Sequence, residues 1–272
     1  MTTKNAVQNN ECCQAFADSY EVSSLPAMRE IERTVLGCDY GGTSWTTKAQ
    51  AEQLLEILDL KAGDHLLDIG AGSGWPGIFL ADESGCAVTL LDMPLNALAK
   101  AKQRARADGI GDRVNAIAGS GAALPFGNAT FKAISHSDVL CCLPEKLEML
   151  KECRRIATDD ASMFFSVIAI APDLPEADHR RAAEAGPPFI DAPGGYADLL
   201  SESGWRVTKR IDCTSEHRAS LSVLVSAFEK SDALSGVLGQ DAVIEACERR
   251  LEQIDVIDAG LMVREIFLVT TD

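Results

Sequence analysis

The sequence holds nine cysteines yet no Cys-x-x-Cys pair. Cys12–Cys13 and Cys141–Cys142 are adjacent, and adjacent thiols have poor geometry for a shared metal. No metal site is expected. The thiols read as reduced small hydrophobes of a cytoplasmic protein. Long apolar runs are missing too. No uncharged stretch approaches the ~18 residues of a membrane span. The opening "MTTKNAVQNNECCQAF" has no apolar stretch after its lysine, so it does not read as a secretory leader. Positive charge is scarce: 25 Lys and Arg stand against 41 Asp and Glu, a formal net charge of −16. That surplus repels a phosphate backbone, so a nucleic-acid partner is not expected without a local basic patch. Lys100, Lys102, Arg104 and Arg106 form a dense basic run, and helical spacing assigns them to a solvated face. Internal repeats and low-complexity tracts are absent.

What is present suits one large α/β domain with embellishments. Hydrophobic residues make up 46% and charged residues 24% of the 272 positions, enough for a sizeable core. Residues 1–10 are polar and read as loose. A weak helical pattern from Glu11 to Leu36 is broken at Pro26. "KAQAEQLLEILDL" has apolar residues at helical spacing. From His65 strand and helix patterns alternate: "HLLDIG", a helix over 75–84, "CAVTLLD", "NALAKAKQRARADG", "RVNAIAG", "FKAISHSDVL", "PEKLEMLKECRRIA" and "ASMFFSVIAIAP". The last strand is apolar almost throughout, as a central parallel strand is. Such alternation predicts a parallel sheet with right-handed crossovers. Beyond Pro172 follow a proline-rich charged stretch, a helix, a strand and two helical stretches, 216–232 and 241–258, separated by "SGVLGQ". The alternating "LMVREIFLVTT" closes the chain.

The segment "LLDIGAGSGWPGIFLA" raises the functional question. A strand that ends in glycines and feeds a helix is a polar-ligand site, because the backbone can approach the ligand and the helix start offers free N–H groups. Gly72, Gly74 and Gly77 spell the dinucleotide pattern G-x-G-x-x-G, but it starts late after the strand. Asp68 lies just before the turn. It would repel a pyrophosphate and favour an ammonium group. Asp92 ends the second strand, where an acid receives ribose hydroxyls, and fits any adenosine ligand.

"LLDIGAGSG" with "LLDMP", and "RVNAIAGSGAALPFGNATFKAISHSDVLCCLPE" after them, resemble the class I S-adenosylmethionine-dependent methyltransferases, of small-molecule type. The resemblance covers residues 60–172 well and 194–213 moderately. It implies a Rossmann-like, seven-stranded, mostly parallel sheet flanked by helices, with an N-terminal helical cap and a helical insertion before the last strand. It divides the chain into a cap, residues 1–46, and a methyltransferase domain, residues 47–272, with substrate-side insertions at 173–196 and 215–260. It implies S-adenosyl-L-methionine as cofactor. Gly70, Ala71, Gly72 and Gly74 then approach the methionyl end, with Asp68 orienting them or meeting the ammonium. Asp92 takes the ribose hydroxyls and Met93 packs on adenine. Ser120, Gly121 and Ala122 flank the adenine edge, and His136 and Ser137 lie near the sulfonium. Tyr40 and Thr46 of "DYGGTSWTT" are expected to close over the cofactor, and Trp75 to touch its methionyl end. Two positions depart from the family pattern: Gly119–Ser120 replaces Gly-Asp, and Lys132 replaces an aspartate.

Methyl transfer from a sulfonium is an in-line displacement that needs alignment and exclusion of water. A base is needed only for some acceptors. His136 is the candidate base, with a cofactor-shell or hydrogen-bonded core histidine as its alternative. Asp138 reads as a helix cap. His217 could reach the pocket mouth, and Tyr40, Trp45 and Tyr196 are the aromatics placed to line it. The partner is a small-molecule acceptor of the methyl group at N, O, S or C, with neither nucleic acid nor membrane, and a homodimer is compatible with this reading. Two alternatives stay open on sequence: an NAD-dependent oxidoreductase, and a non-catalytic cofactor-binding protein of the same fold.

Overall fold

The structure is a computed structural model and describes residues 3–271, with side chains described from residue 13 onward. Seven strands form one sheet: β1 (His65–Ile69), β2 (Ala87–Asp92), β3 (Val114–Ala118), β4 (Phe131–Ser137), β5 (Ala157–Ile170), β6 (Arg206–Asp212) and β7 (Met262–Thr270). Their order is β3-β2-β1-β4-β5-β7-β6. All neighbours are parallel except β7, which runs antiparallel to β5 and β6. The expected mostly parallel, seven-stranded sheet is therefore what forms.

Strand residues alternate between the faces. On one face Leu67, Ile69, Ile134 and Phe165 pack with Met149 and Leu150 of α6 (Lys146–Ile156). On the other, Leu66, Val88 and Leu90 pack with Ile78 of α4 (Gly77–Ser84) and Leu98 of α5 (Leu95–Ala107). Two buried faces explain the near-continuous apolar runs of the central strands. Because β1 continues to β2 on one side while β4 lies on the other, the chain reverses between β1 and β4. The strand ends open a crevice at such a switch point.

Helices α1 (Thr3–Ser23) and α2 (Pro26–Leu36) precede α3 (Lys48–Leu58). A capping box between Thr47 and Gln50 starts α3. The C-terminal half adds α7 (Glu176–Ala185), α8 (Gly195–Glu202), α9 (Thr214–Glu229), α10 (Asp232–Leu238) and α11 (Gln240–Asp258). Helix α11 packs on α9 and α7, and α2 packs on α9 and α10. The cap and the late insertion are thus in contact.

Four expectations need correction. Residues 3–10, read as loose, belong to α1. "SGVLGQ", read as a separator, lies largely within α10, whose Ser231 hydroxyl accepts from the Leu234 amide. Strand β5 begins at Ala157, four residues before the apolar run at Ala161 that was read as its start. Half of the basic run is not a free solvated face. Lys100 Nζ donates to the Tyr20 carbonyl at 3.1 Å and pairs with Glu21 at 3.0 Å. Arg104 pairs with Asp39 at 2.8 Å and lies 4.2 Å from the Tyr40 ring centroid. These cations fasten the cap to α5.

Candidate active site

The glycine turn after β1 folds back onto the end of β2. The Gly70 and Ala71 amides donate to the Leu91 carbonyl at 2.7 and 3.2 Å. The Gly72 amide donates to Asp92 Oδ2 at 2.6 Å. Gly70 (φ 66°) and Gly72 (φ 54°) hold left-handed backbone, which a side chain disfavours. A Cβ at Gly70 would collide with Val139, and one at Gly72 with the Tyr20 hydroxyl.

Two carboxylates flank the glycine turn in the crevice. Asp68 is 2% exposed and accepts from the Ser135 hydroxyl at 2.6 Å. Its Oδ2 has no well-formed hydrogen bond, although the Gly77 amide faces it. Burial pushes Asp68 up to about 7, against the opposing pull of Ser135 and Gly77. Burial likewise pushes Asp92 up to about 6, against the Gly72 and Met93 amides; Met93 N donates to its Oδ1 at 2.7 Å. No lysine or arginine pairs with either carboxylate among the described residues. A destabilised, uncompensated negative site suits a cation or a set of hydroxyl donors.

The crevice is a cavity of about 790 Å³, within the ~300–1,000 Å³ typical of drug-sized ligands. The glycine turn, Asp92, Met93 and Gly119–Gly121 line one part, and Phe16 and Tyr20 of α1 lie beside it. Trp45, Ile168, Ala185 of α7 and Arg250 and Gln253 of α11 line another part. An S-adenosylmethionine molecule fits this chemistry: buried acids for its charged and hydroxyl groups, close backbone approach, and no opposing cation at the turn.

Ten of the residues singled out in the sequence come together in the lining: Asp68, Gly70, Ala71, Gly72, Trp75, Asp92, Met93, Ser120, Gly121 and Ser137. Gly74 and Ala122 lie off the cavity. Tyr40 and Thr46 form its outer support. The Tyr40 ring lies tilted against Trp75, centroids 5.1 Å apart. The Thr46 carbonyl accepts from Trp75 Nε1 at 2.7 Å, and its hydroxyl bonds Ser137 Oγ at 3.1 Å.

His136 is not in the lining. Its ring is fully buried, stacks on Phe165 at 4.6 Å and has no hydrogen-bond partner at either nitrogen. Burial pushes it down to about 3, against the pull of Asp138. Its burial away from the lining corrects both its assignment near the sulfonium and its candidacy as base; it is a core histidine, but without the expected hydrogen bond. His217 is also buried, edge-on to Trp45 at 4.9 Å, and Tyr196 is buried beside Phe165 and Phe267.

Asp138 does not cap a helix. It lines the cavity, holds φ 56° and accepts from the fully buried Arg264 at 2.9 Å. Arg264 also donates to Ser166 at 3.0 Å. Sequence reading missed this pair because 126 residues separate its members. It also missed Tyr20, whose signal was the Phe16–Tyr20 spacing of one helical turn.

The hidden G-x-G-x-x-G does not form a ligand loop. Gly74 and Gly77 lie off the cavity, and a Cβ at Gly77 would strike Asp68. Their smallness serves helix-on-strand packing.

A methyltransferase-domain family model matches residues 66–160, the span that carries the glycine turn, Asp92 and the adenine-side segment. "Methyltransferase GfsG" of Streptomyces halstedii is 25% identical over 201 residues, 72% of this chain and 70% of that protein. Residues 66–160 therefore resemble a methyltransferase domain, and the resemblance to methyltransferases extends over about two thirds of the chain. The "27-O-demethylrifamycin SV methyltransferase" of Amycolatopsis mediterranei is 26% identical over 187 residues, 67% of this chain and 69% of that protein. Among solved structures, the [4+2]-cyclase SpnF superposes with a TM-score of 0.76 at 17% identity, covering 95% of this chain and 96% of that one. At that identity the likeness concerns the fold alone. The oxidoreductase reading is set aside with its glycine pattern.

Proposed function

We propose that this chain is a methyltransferase that binds S-adenosylmethionine along the glycine turn and methylates an acceptor held between that turn and the α7–α11 wall. One observation carries the reading: Asp92 and Asp68, both buried and both without a cationic partner, flank a glycine turn whose amides and left-handed bends bring backbone to the cavity surface. In this reading Asp92 receives the ribose hydroxyls. Asp68, through Ser135 and the turn, orients the methionyl end. Met93, Ser120 and Gly121 border adenine, with Trp75 and Ser137 beside the methionyl side. Tyr40 and Thr46 act through Trp75, as positioning residues. Tyr20 covers Gly72 and keeps water from the reacting end.

Bound S-adenosylmethionine supplies an electrophilic methyl on a sulfonium. The chain's own contribution is alignment and desolvation. None of the described histidines lines the cavity, and the Asp138 carboxylate is engaged by the Arg264 guanidinium. Asp138 and Arg264 instead fix the β4 end of the site. The names of relatives such as "27-O-demethylrifamycin SV methyltransferase" and "Erythromycin 3''-O-methyltransferase" favour a hydroxyl of an elaborate small metabolite. The cap 1–46 and the insertions 173–196 and 215–260 select it. The same reading takes the protein as cytoplasmic, supported by free thiols at the described cysteines. It takes a homodimer as the assembly, which light scattering tests.

The test is transfer. The enzyme is incubated with methyl-tritiated S-adenosylmethionine and a library of hydroxylated metabolites, and products are identified by mass spectrometry. A tritium-bearing methylated product, absent with Asp92→Ala, is expected. Cofactor binding without transfer to any library member counts for the non-catalytic alternative.

A further inference from the structure

This acidic chain pairs its withdrawn arginines. Arg264 lies against Asp138, Arg104 joins Asp39 and Asp108, and Arg155 holds Glu152. Arg250 departs from that pattern. It lines the cavity from α11 and is largely withdrawn from solvent. Its Nη1 donates to Gln253 Oε1 at 3.0 Å, and its guanidinium lies 5.4 Å from the Trp45 ring centroid. No carboxylate pairs with it among the described residues. Glu184 and Glu252 line the same cavity, yet neither forms an ion pair with it. Its neighbour Arg249 pairs with Glu245 at 3.5 Å.

A guanidinium has five donors in a planar fork and stays charged at neutral pH. Here one donor meets a neutral amide and the ring face supports the plane. Burial and the Arg249 charge both depress the Arg250 pKa, which marks a cation that lacks a counter-ion. Burying such a cation is costly unless something pairs with it. The formal net charge of −16 makes the rest of the surface repel anions. A cation left unpaired inside the acceptor part of the cavity is then the place where an anion gains most.

We infer that Arg250 is the specificity residue of the acceptor site, binding an acceptor that carries an oxyanion, carboxylate or phosphoryl, beside the Trp45 ring. This rests on the methyltransferase reading above. The ring holds the guanidinium plane, Gln253 fixes one edge, and the remaining N–H groups meet the oxyanion. Recognition is by charge and fork geometry, which a neutral isostere of the acceptor lacks.

The test separates the two layers. Calorimetry with S-adenosylhomocysteine comes first, and no binding there overturns the methyltransferase reading itself. The protein saturated with S-adenosylhomocysteine is then titrated with benzoate, phenyl phosphate and neutral benzamide, followed by saturation-transfer NMR. At least one anion is expected to bind about tenfold or more tighter than benzamide. Preference for benzoate identifies the carboxylate, and preference for phenyl phosphate the phosphoryl group. Arg250→Met is expected to abolish the preference and Arg250→Lys to restore part of it, while S-adenosylhomocysteine affinity certifies that both variants are folded. Equal binding of all three probes, binding of none, or an unchanged preference in Arg250→Met overturns the inference.

Discussion

At the scale of single residues, the site is set by what burial does to charge. Asp68 and Asp92 are pushed up to about 7 and about 6. The folded chain therefore holds these protons to higher pH than the unfolded chain does. Stability owed to the neutral carboxyls is present near pH 4 and is lost as pH rises through those values. Asp68→Asn should make the cofactor-free protein more stable at pH 8 by about 2–4 kcal/mol, with little difference at pH 4, as read by urea unfolding. Ligand binding runs the other way. A ribose acceptor works as the carboxylate, so S-adenosylhomocysteine affinity should fall as pH drops below about 6, by up to about tenfold per unit. A flat affinity profile between pH 5 and 8 would remove Asp92 from that role. His136 makes the opposite case. A buried imidazole with neither nitrogen bonded costs about 1–3 kcal/mol. His136→Phe should keep methyl transfer near the wild-type rate and leave the melting temperature unchanged or higher. A loss of transfer of a hundredfold or more, with the fold intact by circular dichroism, would return His136 to the chemistry.

At the scale of elements, helix α1 matters as much as the glycine turn. Asn96 Nδ2 donates to the Ala17 carbonyl at 2.8 Å and to Glu21 at 2.7 Å. With Lys100 on Tyr20, these bonds seat α1 so that the Tyr20 ring lies over Gly72. Gly72→Ala should cost about 1–3 kcal/mol from the left-handed backbone, and more through displacement of Tyr20. S-adenosylhomocysteine should slow amide exchange in α1 and in the glycine turn together, as followed by mass spectrometry. Slowing in the turn alone would detach α1 from the site. The sequence made the strands, the turn and Asp92 legible because their signals are local: apolar alternation, glycines after a strand, an acid at the next strand end. It left α1 half-read because that helix is polar and draws its role from contacts with α5. Arg264 and Asp138 stayed illegible because only the sheet brings β7 beside β5 and so near the end of β4. His136 misled because position at a strand end says nothing about which face of the sheet the side chain takes.

At the scale of the whole molecule, one sheet sets the division of labour. On the proposed reading, the carboxyl ends of β1, β2 and β4 carry the cofactor groups, while α1, α7 and α11, which line the same cavity, enclose the acceptor. Helix α2 touches α9 and α10, so the cap and the insertion pack together outside the cavity lining. The family-model match spans residues 66–160; on the proposed reading that part holds the cofactor and the rest distinguishes acceptors. The most direct measurement is calorimetric titration of S-adenosylhomocysteine into the wild-type protein and Asp92→Ala. One site per chain in the wild type is expected, with a loss of about 2 kcal/mol or more, roughly thirtyfold, in the variant. Equal affinity in the two proteins, or binding of NADH in place of S-adenosylhomocysteine, would contradict the cofactor site described above.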